Sequence, residues 1–431
     1  MTDFEKIIQA IKSKNISICV LGLGRVGLPL ATVLVNSGFS VVGIDINKKI
    51  LESIKKSQSP FYDPPLQKSL DSAISSKKFT VICNTNELED EIGAIIVTVG
   101  TPTTKENNVD YSQLFGALEE IAKIDINEKI IIMRSTLPPN TTKEIIIPFL
   151  ENKTGLKCGK DFALAVCPER ILEGRAIEEI YELPEIIGGI NKISNKIASE
   201  IFLTINPKKE ILFTSISGAE LAKLFTNVYR YISFALANEF AIWAEMYGLD
   251  ASEIIKISNH NYPRSNIPIP GFTGGPCLSK DGIFLDSNTT FSSIVSTAWK
   301  LNESIPNHVI GSIKNSEGNL FNKKISVFGM SFKGGSDDIR NSPSLKLIEI
   351  LRSTGVNVKV FDPHVKNTDS LEEVLDKPDI VILATNHKEF LELTKEITES
   401  GTKLVYDVWG MCKEEEFPNV KYLKLGKHNE N

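Results

Sequence analysis

The 431-residue chain is poor in the residues that staple small folds or hold metals. Its six cysteines (Cys19, Cys83, Cys158, Cys167, Cys277 and Cys412) are scattered, with no C-x-x-C pair. That spacing excludes a disulfide framework and a zinc ribbon, and reads as reduced thiols in a cytoplasmic protein. The five histidines form no ligand cluster along the chain, so no protein-bound metal is expected. No apolar run reaches membrane-spanning length, which argues against a membrane protein. The N-terminal MTDFEKIIQAIKSKN lacks the unbroken apolar core of a signal peptide. A net charge of -6 lacks the basic excess of a nucleic-acid scaffold.

What is present is a soluble globular composition, 42% hydrophobic and 24% charged. The length exceeds one ordinary core, and two or three domains are expected.

The stretch ISICVL (16–21) is apolar and β-branched, as suits a buried parallel strand. GLGRVG follows, with Gly22, Gly24 and Gly27 in G-x-G-x-x-G register, Arg25 and Val26 between them, and a helix ended by Gly38. A second strand, SVVGID, closes on Asp45. Glycines permit a tight turn and close approach of a pyrophosphate to the helix start. Asp45 can accept from ribose hydroxyls and would repel a 2′-phosphate, so the expected cofactor is NAD. Further strands read at 79–83, 94–102, 130–139 and from 162. Ligands in such folds lie beyond the carboxyl ends of the strands, which makes Thr101, Ser135 and Thr136 candidates for the nicotinamide side; ordinary turn chemistry explains each nearly as well. Glu169 and Glu173, just past a strand, are an acid/base pair or simply solvated carboxylates.

From Gly218 to Gly248 no proline or internal glycine interrupts an apolar stretch. The spacing predicts a long buried helix, N-capped by Ser217 with Glu220 completing a capping box. Such a helix is expected to bridge domains and join subunits. Lys223 and Asn227 share one face at i, i+4, suited to a hydroxyl under oxidation, or to a lysine snorkelling at the helix margin. GFTGGPCLSKDG (271–282) then sets Cys277 behind a glycine pair and ahead of Lys280 and Asp281. A nearby ammonium favours the thiolate, though a buried structural cysteine is the commoner fate. Arg264 and Asn266 lie in proline-rich chain suited to a binding loop. Residues 323–333, 356–365, 379–385 and 403–409 read as strands of a second, smaller doubly wound unit. Lys333 and Arg340, in FKGGSDDIRNSPS, suit a carboxylate or phosphate, or surface ion pairs.

The expected fold is α/β: two doubly wound Rossmann-like domains, 1–205 and 311–431, joined by a central helical domain, 206–310, with a long helix.

Taken in order, GLGRVGLPLA, VTVGTPT, RSTLPPNTT, CPERILEGRAIEEI, AELAKLFTNVYRY, PGFTGGPCLSKD and GMSFKGGSDDIRNSPS resemble the UDP-glucose/GDP-mannose dehydrogenase family across essentially the whole chain. The resemblance implies NAD-dependent, four-electron oxidation of a nucleotide sugar at C6, from alcohol to carboxylate. It implies that Cys277 forms a thiohemiacetal and then a thioester, with Lys223 and Asn227 at the oxyanion and Asp281 behind the thiol. It matches Glu169 to the hydrolytic half and Thr136 to the catalytic water. By the same resemblance Gly22, Gly24, Arg25, Val26, Gly27, Asp45, Thr101, Ser135, Thr136, Lys280 and Arg340 meet the cofactor. Glu169, Arg170, Glu173, Lys223, Asn227, Arg264, Asn266, Gly274, Phe332, Lys333 and Arg340 meet the UDP-sugar, Arg340 across a subunit interface. Arg170 in PER, NYPRSNIPIPG and DDIRNSP look like the N-acetylhexosamine-oxidising members, whereas Lys280 in CLSKD looks like the UDP-glucose type. UDP-N-acetylmannosamine is therefore expected ahead of UDP-N-acetylglucosamine or UDP-glucose, and the partner beyond substrate is a second copy of the chain. A two-electron hydroxyacid dehydrogenase has no need of the thiol, and a silent NAD-binding regulator no need of an intact thiol loop.

Overall fold

The computed structural model describes residues 3–88, 92–104, 106, 108–286 and 293–427, apart from the side chains of Asp3, Ser279 and Asp286. The chain falls into two compact units, Met1–Thr226 with Ile283–Leu285, and Asn227–Gly282 with Asp286–Asn431.

The first unit is built on eight strands: β1 Ser17–Leu21, β2 Ser40–Ile44, β3 Phe79–Ile82, β4 Ile92–Val97, β5 Ile130–Met133, β6 Ala163–Val166, β7 Glu185–Gly189 and β8 Ile211–Phe213. They stand in the order β3-β2-β1-β4-β5-β6-β7-β8. The first six are parallel, and β7 runs antiparallel to β6. Each strand of the parallel part carries apolar side chains on both faces. Ile18, Val20, Ile96 and Ile132 enter one core, while Cys19, Leu21, Ile95, Val97 and Ile131 enter the other. Burial of each such aliphatic side chain contributes about 1.5–3 kcal/mol. This two-sided burial is why the strands read as continuous apolar runs rather than alternating ones. The N-terminal helix Asp3–Ser13 turns Ile8 and Ile11 into the first of these cores.

The second unit contains β9 Lys324–Phe328, β10 Asn357–Phe361, β11 Ile380–Leu383, β12 Leu404–Asp407 and β13 Lys421–Lys424. The sheet is all parallel, in the order β10-β9-β11-β12-β13. Its core is continuous with helical side chains: Ala241, Ile255, Ile305 and Val309 pack with Ile325, Val327, Leu404 and Tyr406. The two Rossmann-like sheets and the long helix, Ile216–Met246, are therefore as the sequence leads one to expect.

The start of that helix is not. Ser217 lies inside the helix, and the hydroxyl of Ser215 accepts the Gly218 N–H at 3.1 Å. Ser217 instead donates to Asn140 Oδ1 at 2.7 Å. Glu220 accepts the backbone N–H groups of Asn140 and Thr142 at 2.8 and 2.9 Å. No capping box forms, because both of its side chains are spent on the loop after β5. Burial pushes the Glu220 carboxyl above its ordinary range.

Candidate active site

The turn after β1 is shaped by steric necessity. Gly22 has φ +94°, and a Cβ on Gly27 would lie 1.8 Å from the Gly22 carbonyl oxygen. A Cβ on Gly24 would meet nothing within 4 Å, so that face of the turn is open. Val26 precedes the helix Gly27–Asn36, which has no side-chain cap and no acid in its first turn. No acid of the helix's own first turn competes there with a bound anion. At the end of β2, Asp45 accepts from Leu23 N–H through Oδ2 and from Asn47 N–H through Oδ1, both at 2.8 Å. Two backbone bonds fix the carboxylate, and each oxygen keeps a second lone pair for a ribose hydroxyl. These residues fit a dinucleotide. Arg25 lies over the Phe61 ring at 4.7 Å and pairs with Glu173 at 3.6 Å.

The turns beyond β4 and β5 are tied together. Ser135 donates to Val99 O at 2.6 Å, and Thr101 donates to the carbonyl of Thr136. Thr136 itself is half-buried.

Glu169 is buried, with both carboxylate oxygens engaged. Its Oε2 takes Arg134 Nε and a terminal guanidinium nitrogen at 2.7 and 2.6 Å, and its Oε1 takes the N–H groups of Arg170 and Ile171 at 2.7 and 3.0 Å. Burial opposes its charge, but the Arg134 guanidinium and the two backbone donors prevail and hold its pKa below the ordinary value. Glu185 shares Arg134 at 2.8 Å without two such backbone bonds, and burial pushes its carboxyl up. Arg170 donates to the Pro184 carbonyl. Arg134 stands inside the RSTLPPNTT motif, yet nothing local marks it as the hub of a buried cluster.

In the second unit the thiol loop is pinned at each glycine. The Asn238 amide brackets Gly271, accepting its N–H at 2.9 Å and donating to its carbonyl at 3.1 Å. A Cβ on Gly271 would strike Trp409 at 2.5 Å, one on Gly274 would strike Asn341 O at 2.4 Å, and one on Gly275 would strike the Phe332 ring at 2.8 Å. Gly275 also donates to Asn341 O at 3.0 Å. The loop therefore lies against the backbone and rings of the smaller Rossmann-like sheet, an approach that only glycine allows. Cys277 follows, exposed, at the head of the helix Leu278–Asp286, its carbonyl taking the Asp281 N–H at 3.0 Å.

Asp281 is completely buried and accepts from Asn227 Nδ2 at 2.6 Å and Lys280 Nζ at 2.8 Å. Asn227 and Asp281, 54 residues apart, thus meet directly. Lys223 stands one turn before Asn227 on the long helix and is largely buried. Arg264 is exposed, stacked over Tyr262 at 4.6 Å, and Asn266 is exposed nearby in the chain. Arg340 makes a bidentate pair with Asp338, with contacts from 2.6 to 3.1 Å. Phe332 and Lys333 are half-buried in the turn after β9. Among the described residues two histidines and an acid, distant in sequence spacing, come together: potential ligand atoms of His364, His387 and Glu389 lie within 4.8 Å of one another. No described helix is long and apolar enough to cross a membrane.

Profiles of one family match three consecutive stretches. They are described as the NAD binding domain over residues 16–206, the central domain over 217–305 and the UDP binding domain over 326–414 of the UDP-glucose/GDP-mannose dehydrogenase family. Among relatives, a UDP-N-acetyl-D-mannosamine dehydrogenase of Pyrococcus horikoshii is 36% identical, covering 95% of this chain and 98% of its own. A protein of the same description from Campylobacter jejuni is 31% identical over 87% of this chain and 96% of its own. Among solved structures, that of a Pyrococcus horikoshii UDP-D-ManNAc dehydrogenase superposes with a TM-score of 0.88 at 34% identity, covering 95% and 99% of the two chains. The glycine turn with its acid, the thiol loop and three consecutive profiles agree: the chain belongs to the UDP-glucose/GDP-mannose dehydrogenase family, and is an NAD-dependent nucleotide-sugar oxidoreductase.

Proposed function

We propose that the protein oxidises C6 of UDP-N-acetyl-D-mannosamine to the carboxylate of UDP-N-acetyl-D-mannosaminuronate. The observation that carries this reading is the exposed Cys277 at a helix head, four residues before a buried aspartate clasped by Asn227 and Lys280. The choice of sugar is supported by the relatives described as acting on it. The balance is one alcohol, one water and two NAD⁺ giving one carboxylate, two NADH and three protons. When bound, NAD supplies the hydride acceptor for each oxidation.

Cys277 adds as thiolate to the C6 aldehyde, forming a C–S bond and a thiohemiacetal. Loss of the second hydride leaves a thioester on the sulfur, and water cleaves it, returning the thiolate. Lys223 and Asn227 stabilise the oxyanion, and Asp281 holds the Asn227 amide in place for that task. Thr136 orients the attacking water. Glu169, with both oxygens engaged, acts by fixing the Arg170–Ile171 turn rather than by moving a proton. Lys333, Phe332, Gly274, Arg264, Asn266 and Arg340 serve the UDP-sugar, as do Arg170 and Glu173 on the sugar side.

The working form is a homodimer joined along the long helix. Tyr229, Leu236, Trp243 and Tyr247 are 68%, 43%, 48% and 80% exposed. Their spacings of seven, seven and four place them on one stripe, and an exposed apolar stripe of this length marks an interaction surface. The disulfide-free thiols fit the cytoplasm.

The test is NADH formed per sugar consumed, with UDP-N-acetylmannosamine, UDP-N-acetylglucosamine and UDP-glucose offered in turn. Two NADH per sugar are expected, with the first substrate preferred. In Cys277→Ala, acid formation is lost while NAD still binds. One NADH per sugar, or unchanged turnover in that variant, refutes the reading.

A further inference from the structure

The gathered histidines and the turn after β9 form a single network inside the second unit. His387 is completely buried, at the end of the segment that follows β11. Its Nδ1 accepts the Gly335 N–H at 3.1 Å, which leaves the ring proton on Nε2. Nε2 faces Asp362 Oδ2 at 3.2 Å and the Ser331 hydroxyl at 3.0 Å. Asp362, itself buried, accepts from the N–H groups of Met330 and Ser331 at 2.7 and 3.1 Å and, through its other oxygen, from His364 and Val365 at 3.0 and 3.2 Å. Ser331 donates to Lys333 O at 2.9 Å, and Thr385 donates to Ser331 O at 2.8 Å. Asn386, next in the chain, accepts the Gly334 N–H at 2.7 Å.

Both ring nitrogens of His387 are therefore engaged with the chain. A metal held there would have to displace Gly335 from one nitrogen, or Asp362 and Ser331 from the other. The cluster reads instead as a frame for the 330–335 turn. That turn has no regular structure of its own, and its shape depends on these side-chain bonds. Phe332 hangs from it against Gly275, two residues before Cys277.

We infer that His387 is a positioning residue: with Asp362 and Ser331 it fixes the turn carrying Phe332 and Lys333, and so sets affinity for the uridine diphosphate portion of the substrate. The inference rests on the proposed function, in which that turn meets the nucleotide sugar. It gives a role to the completely buried His387, whose ring meets that of the half-buried His364. His364 stands edge-on to His387 at 4.9 Å between ring centres and pairs with Glu389, closing the frame from behind.

The experiment compares the intact protein with His387→Leu, His387→Gln and Ser331→Ala, reading affinity for UDP and for NAD by calorimetry and folding by circular dichroism. His387→Leu removes both ring nitrogens at similar volume, and UDP binding is expected to weaken about tenfold, the worth of one or two orphaned hydrogen bonds. NAD affinity stays within about twofold, because the glycine turn and Asp45 proposed to hold it belong to the first unit. His387→Gln, whose amide still reaches toward Asp362 and Ser331, recovers most of the UDP affinity. Ser331→Ala removes a single hydroxyl from the turn and keeps the test decisive if His387→Leu does not fold; it too weakens UDP binding. A role confined to stability lowers the melting temperature of these variants without changing UDP affinity of the folded protein, and that result overturns the inference. Failure of the wild-type protein to bind UDP overturns the functional reading beneath it, a different outcome from wild-type binding with unaffected variants.

Discussion

Replacing Glu169 by glutamine separates two accounts of this carboxylate, a proton-transfer base and a structural clasp. In the wild type Oε1 holds the N–H groups of Arg170 and Ile171, and Oε2 holds two guanidinium nitrogens of Arg134. A glutamine that keeps the backbone bonds turns its NH₂ toward Arg134, so donor meets donor. The variant loses two charge-assisted bonds, each worth about 1.5–3 kcal/mol, and leaves Arg134 to Glu185 alone. A loss of about 3–5 kcal/mol follows, as for other broken buried pairs. In a unit of this size that lowers its melting temperature by roughly 6–20 °C. The pH dependence has a definite sign. The folded-state pKa of Glu169 lies below its ordinary 4.5, so its stabilisation is complete above that value and fades as pH falls through the depressed one. The gap in melting temperature between wild type and Glu169→Gln therefore narrows in acid. Scanning calorimetry from pH 3 to 7 measures this, and rapid-quench analysis follows the thioester. An unshifted melting temperature, together with accumulating thioester and lost turnover, would make Glu169 the hydrolytic base and refute the clasp.

Two further outcomes follow from steric detail. Gly27→Ala drives a methyl into the Gly22 carbonyl and the Thr98 hydroxyl, at 1.8 and 2.4 Å, and the turn must shift; NAD affinity measured by fluorescence titration falls by roughly ten- to a hundredfold, the 1–3 kcal/mol typical of overpacking. Trp243→Glu places a charge in the middle of the apolar stripe, and sedimentation velocity is expected to show monomers where the wild type shows dimers, with unit folding unchanged.

Much of this architecture was legible because its signals are local. The strand, glycine turn, helix, strand and Asp45 occupy one short stretch, and each part has its own composition. The same holds for the glycines around Cys277. β7 and β8 escaped notice for the opposite reason. IIGG ends in glycines and pairs antiparallel across only two registers, and β8 is three residues long with Leu212 and Phe213 exposed. β7 is buried, yet it has only Ile186 and Ile187 as apolar side chains between an acid and two glycines, and β8 is too short and exposed to read as a strand. Contacts between distant residues left no trace at all. Arg134 with Glu185, Asn238 with Gly271, and His387 with Gly335 are separated by 51, 33 and 52 positions. Glu220 carried a genuine local signal with a misleading meaning, since Ser-x-x-Glu spacing satisfies a capping box only if nothing nearer in space claims the carboxylate.

The distribution of the six thiols bears on how the protein meets oxidants and electrophiles. Burial pushes Cys19, Cys158, Cys167 and Cys412 up and holds them protonated, whereas Cys277 stands exposed at a helix head. Cys83 is half-buried, so a limiting dose of alkylating agent is steered away from those four thiols and first toward Cys277, the exposed sulfur proposed to carry turnover. The same selectivity is a vulnerability in oxidising surroundings. With no disulfide to protect, reductant shields the chemistry and costs the fold nothing.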